Sequence, residues 1–122
     1  MKYTVSLSSD RKFIVVYIDG PMTTELAVIV GKEANALALE NNITFLLYDL
    51  RNSRNVQNGF KNYEFGYKDA GAIGFNKSFK IAVLTDPADR SHDLIETVMV
   101  NNGYNVKIFN VEKDAVNWLI TR

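Results

Sequence analysis

Tyr3, Val5 and Leu7 alternate with Thr4 and Ser6, the period-two pattern of a half-buried strand. Ser8-Ser9-Asp10-Arg11 is turn-like, and Lys12 to Ile18, β-branched and aromatic, reads as a second strand. So short a link predicts a hairpin, which Asp19-Gly20-Pro21 ends. Thr23 or Thr24 can cap a helix with Glu25 in its first turn, running to about Asn41. Leu26, Ile29, Val30, Leu37 and Ala38 fall on one face of it, while Ala27, Val28, Ala34 and Ala36 carry apolar character further round. Ile43 to Leu50 is a continuous apolar run, as expected of a strand buried on both faces of a parallel sheet.

Arg51 to Asn58 is a polar loop, and Gly59 to about Gly71 is helical in pattern, with Phe60, Tyr63 and Tyr67 at i, i+3 and i+7. Gly66, Gly71 and Gly74 weaken that helix. Phe79 to Thr85 is a further buried strand, stopped by Asp86-Pro87. Asp89 or Ser91 then caps a helix carrying Leu94, Ile95, Val98 and Met99. Asn102-Gly103 closes it, and Tyr104 to Phe109 is the last strand. Asn110 can cap a final helix striped by Ala115, Val116 and Leu119. The order ββαβαβαβα predicts one α/β domain spanning residues 1–122, with a mixed, mostly parallel five-stranded sheet and an N-terminal β-hairpin.

Composition narrows the functional classes. The chain has 122 residues, 47% of them hydrophobic, enough for one core without staples. Lys plus Arg equals Asp plus Glu at 14 each, and no basic run occurs, so no nucleic-acid partner is expected. Zero net charge also removes a barrier to self-association, which fits a homodimer. Without cysteine there are no disulfides, thiolate metal sites or thiol nucleophiles. The first residues lack the apolar stretch of a signal peptide, and no apolar run approaches a membrane span. The expected location is cytoplasmic, with peripheral contact at a membrane left open.

Ligands in open α/β sheets sit outside the carboxyl ends of the strands. Two loops leave such ends here and carry Asp49, Arg51, Asn52, Ser53, Arg54, Asp86, Arg90, Ser91 and His92. The structural alternative is that Asp49 and Asp86 end strands and pair with Arg51, Arg54 or Arg90. His92 is the sole histidine, so no histidine-based zinc site is expected, and no other metal or cofactor is implied. Ser91, His92 and Asp93 are consecutive and would diverge on a helix. No Gly-x-Ser-x-Gly elbow exists, and His92 is expected exposed in a first helical turn. The chain therefore reads as non-enzymatic. Gly71-Ala72-Ile73-Gly74 lacks phosphate-loop spacing and reads as a loose connection.

The stripe Phe60, Tyr63 and Tyr67 has three readings: a mobile lid over an apolar pocket, an exposed patch for a partner or bilayer, or a core-facing stripe. Phe65 lies off that face and is expected exposed. The apolar excess on both long helices points to a ligand site between 24–41 and 59–71, with Leu26, Ile29 and Val30 facing Phe60, Tyr63 and Tyr67.

Several segments together resemble the SpoIIAA-like branch of STAS domains, whose fold is also likened to CRAL-TRIO lipid carriers. They are Ile18-Asp19-Gly20-Pro21, Leu47-Tyr48-Asp49-Leu50-Arg51-Asn52, Ala82-Val83-Leu84-Thr85-Asp86-Pro87, and the tail from Glu96 through Asn101-Asn102-Gly103-Tyr104 and Ile108-Phe109 to Asp114-Ala115-Val116-Asn117-Trp118-Leu119. The better-known members are anti-sigma-factor antagonists with an Asp-Ser-Ser-Gly-type element at the start of the second helix, where a serine is phosphorylated by a partner kinase. Here that stretch reads Val56-Gln57-Asn58-Gly59-Phe60, and the nearest serine is Ser53. The resemblance implies a binding module: one for a small apolar ligand or membrane surface, or a regulatory protein-interaction module of STAS type, a homodimer among its forms, acting through the Asp49–Asn58 loop.

Overall fold

β1 (Lys2–Leu7) and β2 (Ile14–Asp19) form the hairpin, in the register Lys2↔Asp19 to Leu7↔Ile14. A computed structural model describes residues 2–121. The Ser8 hydroxyl accepts the backbone N–H groups of Lys12 and Phe13, and Arg11 adopts a left-handed φ of 59°. Lys12 and Phe13 thus belong to the turn, and β2 starts later than the residue pattern predicts. β3 (Phe45–Asn52), β4 (Lys80–Leu84) and β5 (Asn105–Phe109) follow in parallel, giving the sheet order β1-β2-β3-β4-β5.

Right-handed crossovers that always step the same way along a sheet put their helices on one face. Here α1 (Thr24–Asn41), α2 (residues 59–73) and α3 (Asp93–Asn101) share that face. Their core includes Val16, Leu46, Tyr48, Leu50, Ile81 and Val106 from the sheet, with Leu26, Val30, Phe65, Ile73 and Met99 from the helices. α4 (Glu112–Ile120) alone crosses the opposite face, packing Ala115 and Leu119 on Phe13, Leu47, Ala82 and Leu84. The expected α/β architecture is met, with five strands and four helices among the described residues.

Details of the helices differ from expectation. The Thr23 hydroxyl caps α1 by accepting the Leu26 N–H, but the buried stripe is Leu26, Val30, Gly31, Ala34 and Ala38. Ile29 is 53% exposed. Gly31 takes its place in the stripe because Ile73 and Phe75 of the α2 region press on it at distances that leave little room for a methyl group. Neither Asp89 nor Ser91 caps α3. His92 stands at its N-cap without a side-chain cap bond, Asp89 accepts the Ser91 N–H, and Ser91 accepts the Asn55 N–H. Asn110 does not cap α4, because its amide donates to the Thr85 carbonyl and hydroxyl instead. The 71–74 stretch is not a loose connection: Ala70–Ile73 is helical, and Gly74 closes it at φ 100°.

Candidate functional site

The carboxyl end of the sheet is built around the chain that follows β3. Beyond the strands it still runs beside the segment after β2: the Gly20 N–H donates to the Asn52 carbonyl, Met22 N–H to Arg54, and Val56 N–H to Met22. Gly20 allows this with a φ of 115°, a conformation open to glycine at no steric cost. The loop is then tied down from three sides. The Asn55 amide donates to Asn62 of α2 at 2.7 Å, Asn55 accepts the Gln57 N–H, and the Thr24 hydroxyl of α1 donates to Gln57.

His92 holds the loop from below. Its ring is only 2% exposed, and Nε2 lies 2.7 Å from the Ser53 carbonyl. A carbonyl can only accept, so Nε2 carries the proton. The expectation of an exposed His92 is therefore overturned: the ring is the bond that anchors residue 53. Asp89 lies 3.7 Å from the same nitrogen. Burial pushes the Asp89 carboxyl up, but the hydroxyl and N–H of Ser91 and the charges of His92 and Arg54 outweigh it and leave the group below the usual carboxylate range.

The polar residues singled out in the sequence divide. Arg51, Ser53, Arg54 and Asp86 do meet, with Asn52, Ala88 and Asp89, around a shallow open groove. Asp49 and Arg90 do not line it. Asp49 is bound bidentately by Arg51 at 3.0 and 2.8 Å, Arg51 also reaches Glu112 at 3.2 Å, and Arg90 pairs with Asp93 at 2.6 Å. Arg54 pairs with Asp89 at 3.7 Å. Asp86 has no arginine partner among the described residues and accepts the Ala88 N–H. Ser53 is not part of an exposed loop surface: it is 2% exposed, and its hydroxyl is buried without a hydrogen-bond partner among the described residues. Asp49, Asp86 and His92 are thus each engaged with different partners: Arg51, the Ala88 N–H and the Ser53 carbonyl. Among the described residues, no three His, Asp or Glu side chains gather where a metal could sit.

α2 sets the apolar chemistry. Asn58 caps it, accepting the Lys61 N–H at 2.8 Å. The helix is α from Gly59 to Glu64, widens into a π turn over Phe65–Asp69, and returns to α over Ala70–Ile73. Asn62, Phe65, Gly66, Ala70 and Ile73 are buried. Phe60, Tyr63 and Tyr67 are 71%, 55% and 69% exposed, and the two tyrosine rings stack at 5.7 Å. The expectation of an exposed Phe65 falls here. The stripe faces solvent and not the core, and Phe65 points inward. Leu26, Ile29, Val30, Phe60, Tyr63 and Tyr67 do not line one cavity: two are buried in the core and four are exposed.

A cavity of about 80 Å³ does exist, in a different place. It lies between the sheet and α2 and α3, walled by Tyr48, Phe65, Phe75, Ile95, Met99 and Val106 among others, with Asn55, Gln57, His92 and Glu96 as polar members. Tyr48 was visible in the sequence as the only hydroxyl on a large side chain inside a doubly buried strand. A void, however, depends on how neighbouring volumes fit, and no local pattern encodes it.

Three solved structures resemble this one along nearly its whole length. An anti-sigma factor antagonist from Mycobacterium paratuberculosis matches with a TM-score of 0.63 at 14% identity, covering 98% of this chain and 96% of that one. The anti-sigma factor antagonist SpoIIAA in its unphosphorylated form matches at 0.60 and 8% identity, covering 99% and 100%. An uncharacterised protein from Shewanella loihica with a SpoIIAA-like fold matches at 0.58 and 19% identity, covering 97% and 92%. The chain has the SpoIIAA-like fold. No protein-family model and no curated protein matches it.

The resemblance read from the sequence implies a phosphorylated serine at the start of the second helix in the better-known members. In this chain that point is the α2 cap, and Asn58 occupies it. An amide oxygen caps as well as a hydroxyl does, but it carries no O–H to accept a phosphoryl group. Ser53 is no substitute in this conformation, because its hydroxyl is closed off from solvent. No helix of the described residues is long and apolar enough to cross a membrane.

Proposed function

We propose that this chain is a non-catalytic regulatory module that binds a protein partner through the outer face of α2. The observation that carries the reading is the solvent-facing row Phe60, Tyr63 and Tyr67. Three large aromatics on one exposed helix face are costly in water, whereas buried tyrosines anchor interfaces. Two of the fold relatives are named as anti-sigma factor antagonists, proteins whose name describes action on another protein. With Asn58 at the α2 cap, the interaction proposed here runs without a phosphoserine at that position.

The test is tagged capture from the source cells, followed by titration of the purified partner by calorimetry. Phe60→Ala and Tyr67→Ala should each weaken binding about tenfold or more. Leu39→Ala, an exposed apolar change on α1, should leave it unchanged. A partner that binds the α2 variants as tightly as the parent chain would refute the assignment. Sedimentation of the chain alone, and with anionic vesicles, checks the two competing occupants of the face. A dimer or a membrane complex abolished by Phe60→Ala would reassign α2 to it.

A further inference from the structure

We propose that the outer edge of β1 pairs with β1 of a second copy of this chain, joining two sheets into one across a two-fold axis at Val5. This surface is independent of the α2 outer face, and its test uses different residues.

The two ends of the sheet are built differently. β1 and β5 are its outer strands, and an outer strand presents backbone N–H and C=O groups that template further pairing unless something blocks them. At β5 the block is visible. Glu96 of α3 accepts the outward Ile108 N–H at 2.7 Å, and Lys107 places a charge in mid-strand. β1 has neither device. Tyr3-Thr4-Val5-Ser6-Leu7 holds no charge, proline or glycine, and its register with β2 runs without a bulge. Residues of an antiparallel strand turn their backbone groups to alternate sides. The Ser8 N–H donates to the Phe13 carbonyl, so Ser6 and Thr4 also face β2. Tyr3, Val5 and Leu7 therefore turn their N–H and C=O groups outward.

That edge is complementary to itself. In an antiparallel pair centred on Val5, each Val5 faces its counterpart, Tyr3 faces Leu7, and Thr4 faces Ser6. Every outward residue then exchanges both of its backbone bonds. Tyr3, Val5 and Leu7 lie on the helix side, packed against the core, while Thr4 and Ser6 are exposed on the other side. The cross-strand pairs thus join apolar to apolar and hydroxyl to hydroxyl, with no like charges opposed. A two-fold pair of this kind closes on itself and stops at two copies.

α1 supplies the rest of the contact, since a strand edge alone falls short of the roughly 1,200 Å² that a stable complex buries. The Tyr3 hydroxyl donates to Glu33 at 2.6 Å, which fixes the side of α1 that lies toward β1. Gly31, on the opposite side, meets Ile73 and Phe75. Ile29 and Ala36 stand one turn before and after Glu33 on the β1 side, and both are exposed. With strands about 4.8 Å apart, two helices each seated over β1 and β2 stand about 10 Å apart across the axis, which is helix-packing distance. The 53% exposure of Ile29 in the single chain is thereby accounted for.

The test is sedimentation of the full chain over a wide concentration range, with hydrogen exchange read amide by amide. A species of twice the chain mass should form as concentration rises. The amides of Tyr3, Val5 and Leu7 should slow with it, whereas those of Thr4 and Ser6, already bonded to β2, should change little. Val5→Pro removes an outward donor and spares the bonds to β2, so it should yield a folded monomer. If that variant does not fold, paired substitutions on the exposed side take its place. Thr4→Lys with Ser6→Lys sets like charges opposite each other and should weaken the dimer about tenfold. Thr4→Lys with Ser6→Glu sets opposite charges there and should restore at least the parent affinity. The proposal is overturned by a single-chain mass at every concentration, by assemblies larger than two, or by exchange at Tyr3, Val5 and Leu7 that ignores concentration. A dimer that survives Val5→Pro or the lysine pair overturns it as well, and one lost in Phe60→Ala but kept in Val5→Pro would belong to α2.

Discussion

Removing the Tyr48 hydroxyl should stabilise the unliganded protein. A buried hydroxyl left without a partner forfeits about 1–3 kcal/mol of hydration, and Tyr48→Phe abolishes that loss. The ring remains, with its edge-on contact to Phe75 at 6.5 Å and 82°, so the packing term is kept. The missing oxygen surrenders a few van der Waals contacts, worth about 0.5 kcal/mol, which leaves a net gain near 1 kcal/mol. Urea unfolding followed by the single tryptophan reads this directly, since Trp118 packs against Phe109 at 5.6 Å on the far side of the sheet. The midpoint should rise by about 0.5–1 M with an unchanged slope.

A second arm of the same prediction uses pH. Burial lifts the folded-state ionisation of Tyr48 above its ordinary value of 10.0. The unfolded chain therefore loses this proton first as pH rises. Stability from the neutral phenol is complete below about pH 10 and declines above it, by up to about 1.4 kcal/mol per pH unit. Tyr48→Phe should flatten that decline. A variant less stable than the parent by about 1 kcal/mol at pH 7 would mean that the hydroxyl has a partner and would refute the reasoning.

Three further predictions concern the frame around the site. A methyl group on Gly66 would sit 2.6 Å from Val98 Cγ1 and 3.3 Å from the Met99 backbone nitrogen, so Gly66→Ala should cost about 1–3 kcal/mol. Val98→Ala should recover part of it in a double-mutant cycle, and strict additivity would refute the contact. His92→Ala removes a buried ring and orphans the Ser53 carbonyl; a thermal or urea melt should show a loss of about 2–4 kcal/mol, and a loss under about 1 would contradict the anchoring role. Asp89 is held below its ordinary value of 3.8, so its contribution is complete above that pH and is lost as pH falls further. Acid unfolding monitored by circular dichroism should be shallower in Asp89→Asn, and identical acid limbs would count against the Ser91 and His92 contacts.

The sheet was legible because its signals are local. A continuous apolar run such as Phe45 to Leu50 has one stable home, between two covered faces, whereas the spatial order of the strands is written in no local pattern. The site was legible only in part, because its decisive contacts are long-range. His92 lies in the polar stretch Asp89-Arg90-Ser91-His92-Asp93, where nothing local announces burial. Its partner is a backbone carbonyl 39 residues away. The caps of α3 and α4 failed for a related reason: Ser91 and Asn110 had better partners in the tertiary structure than the helix ends beside them.

The segment 59–73 shows which physical term overrode the pattern. Two faces competed for the core: the large aromatics Phe60, Tyr63 and Tyr67, and the mixed face Asn62, Phe65, Gly66, Ala70 and Ile73. Hydrophobicity alone favours the first. The second wins because Gly66 and Ala70 let the helix approach α3 closely, as the Gly66–Val98 contact shows, and because Asn62 completes the hydrogen bonds of Asn55 and Gln57. The π turn then brings Phe65 inward while leaving Tyr67 outside. The same widened turn therefore separates an inner wall of the cavity from an outer aromatic face.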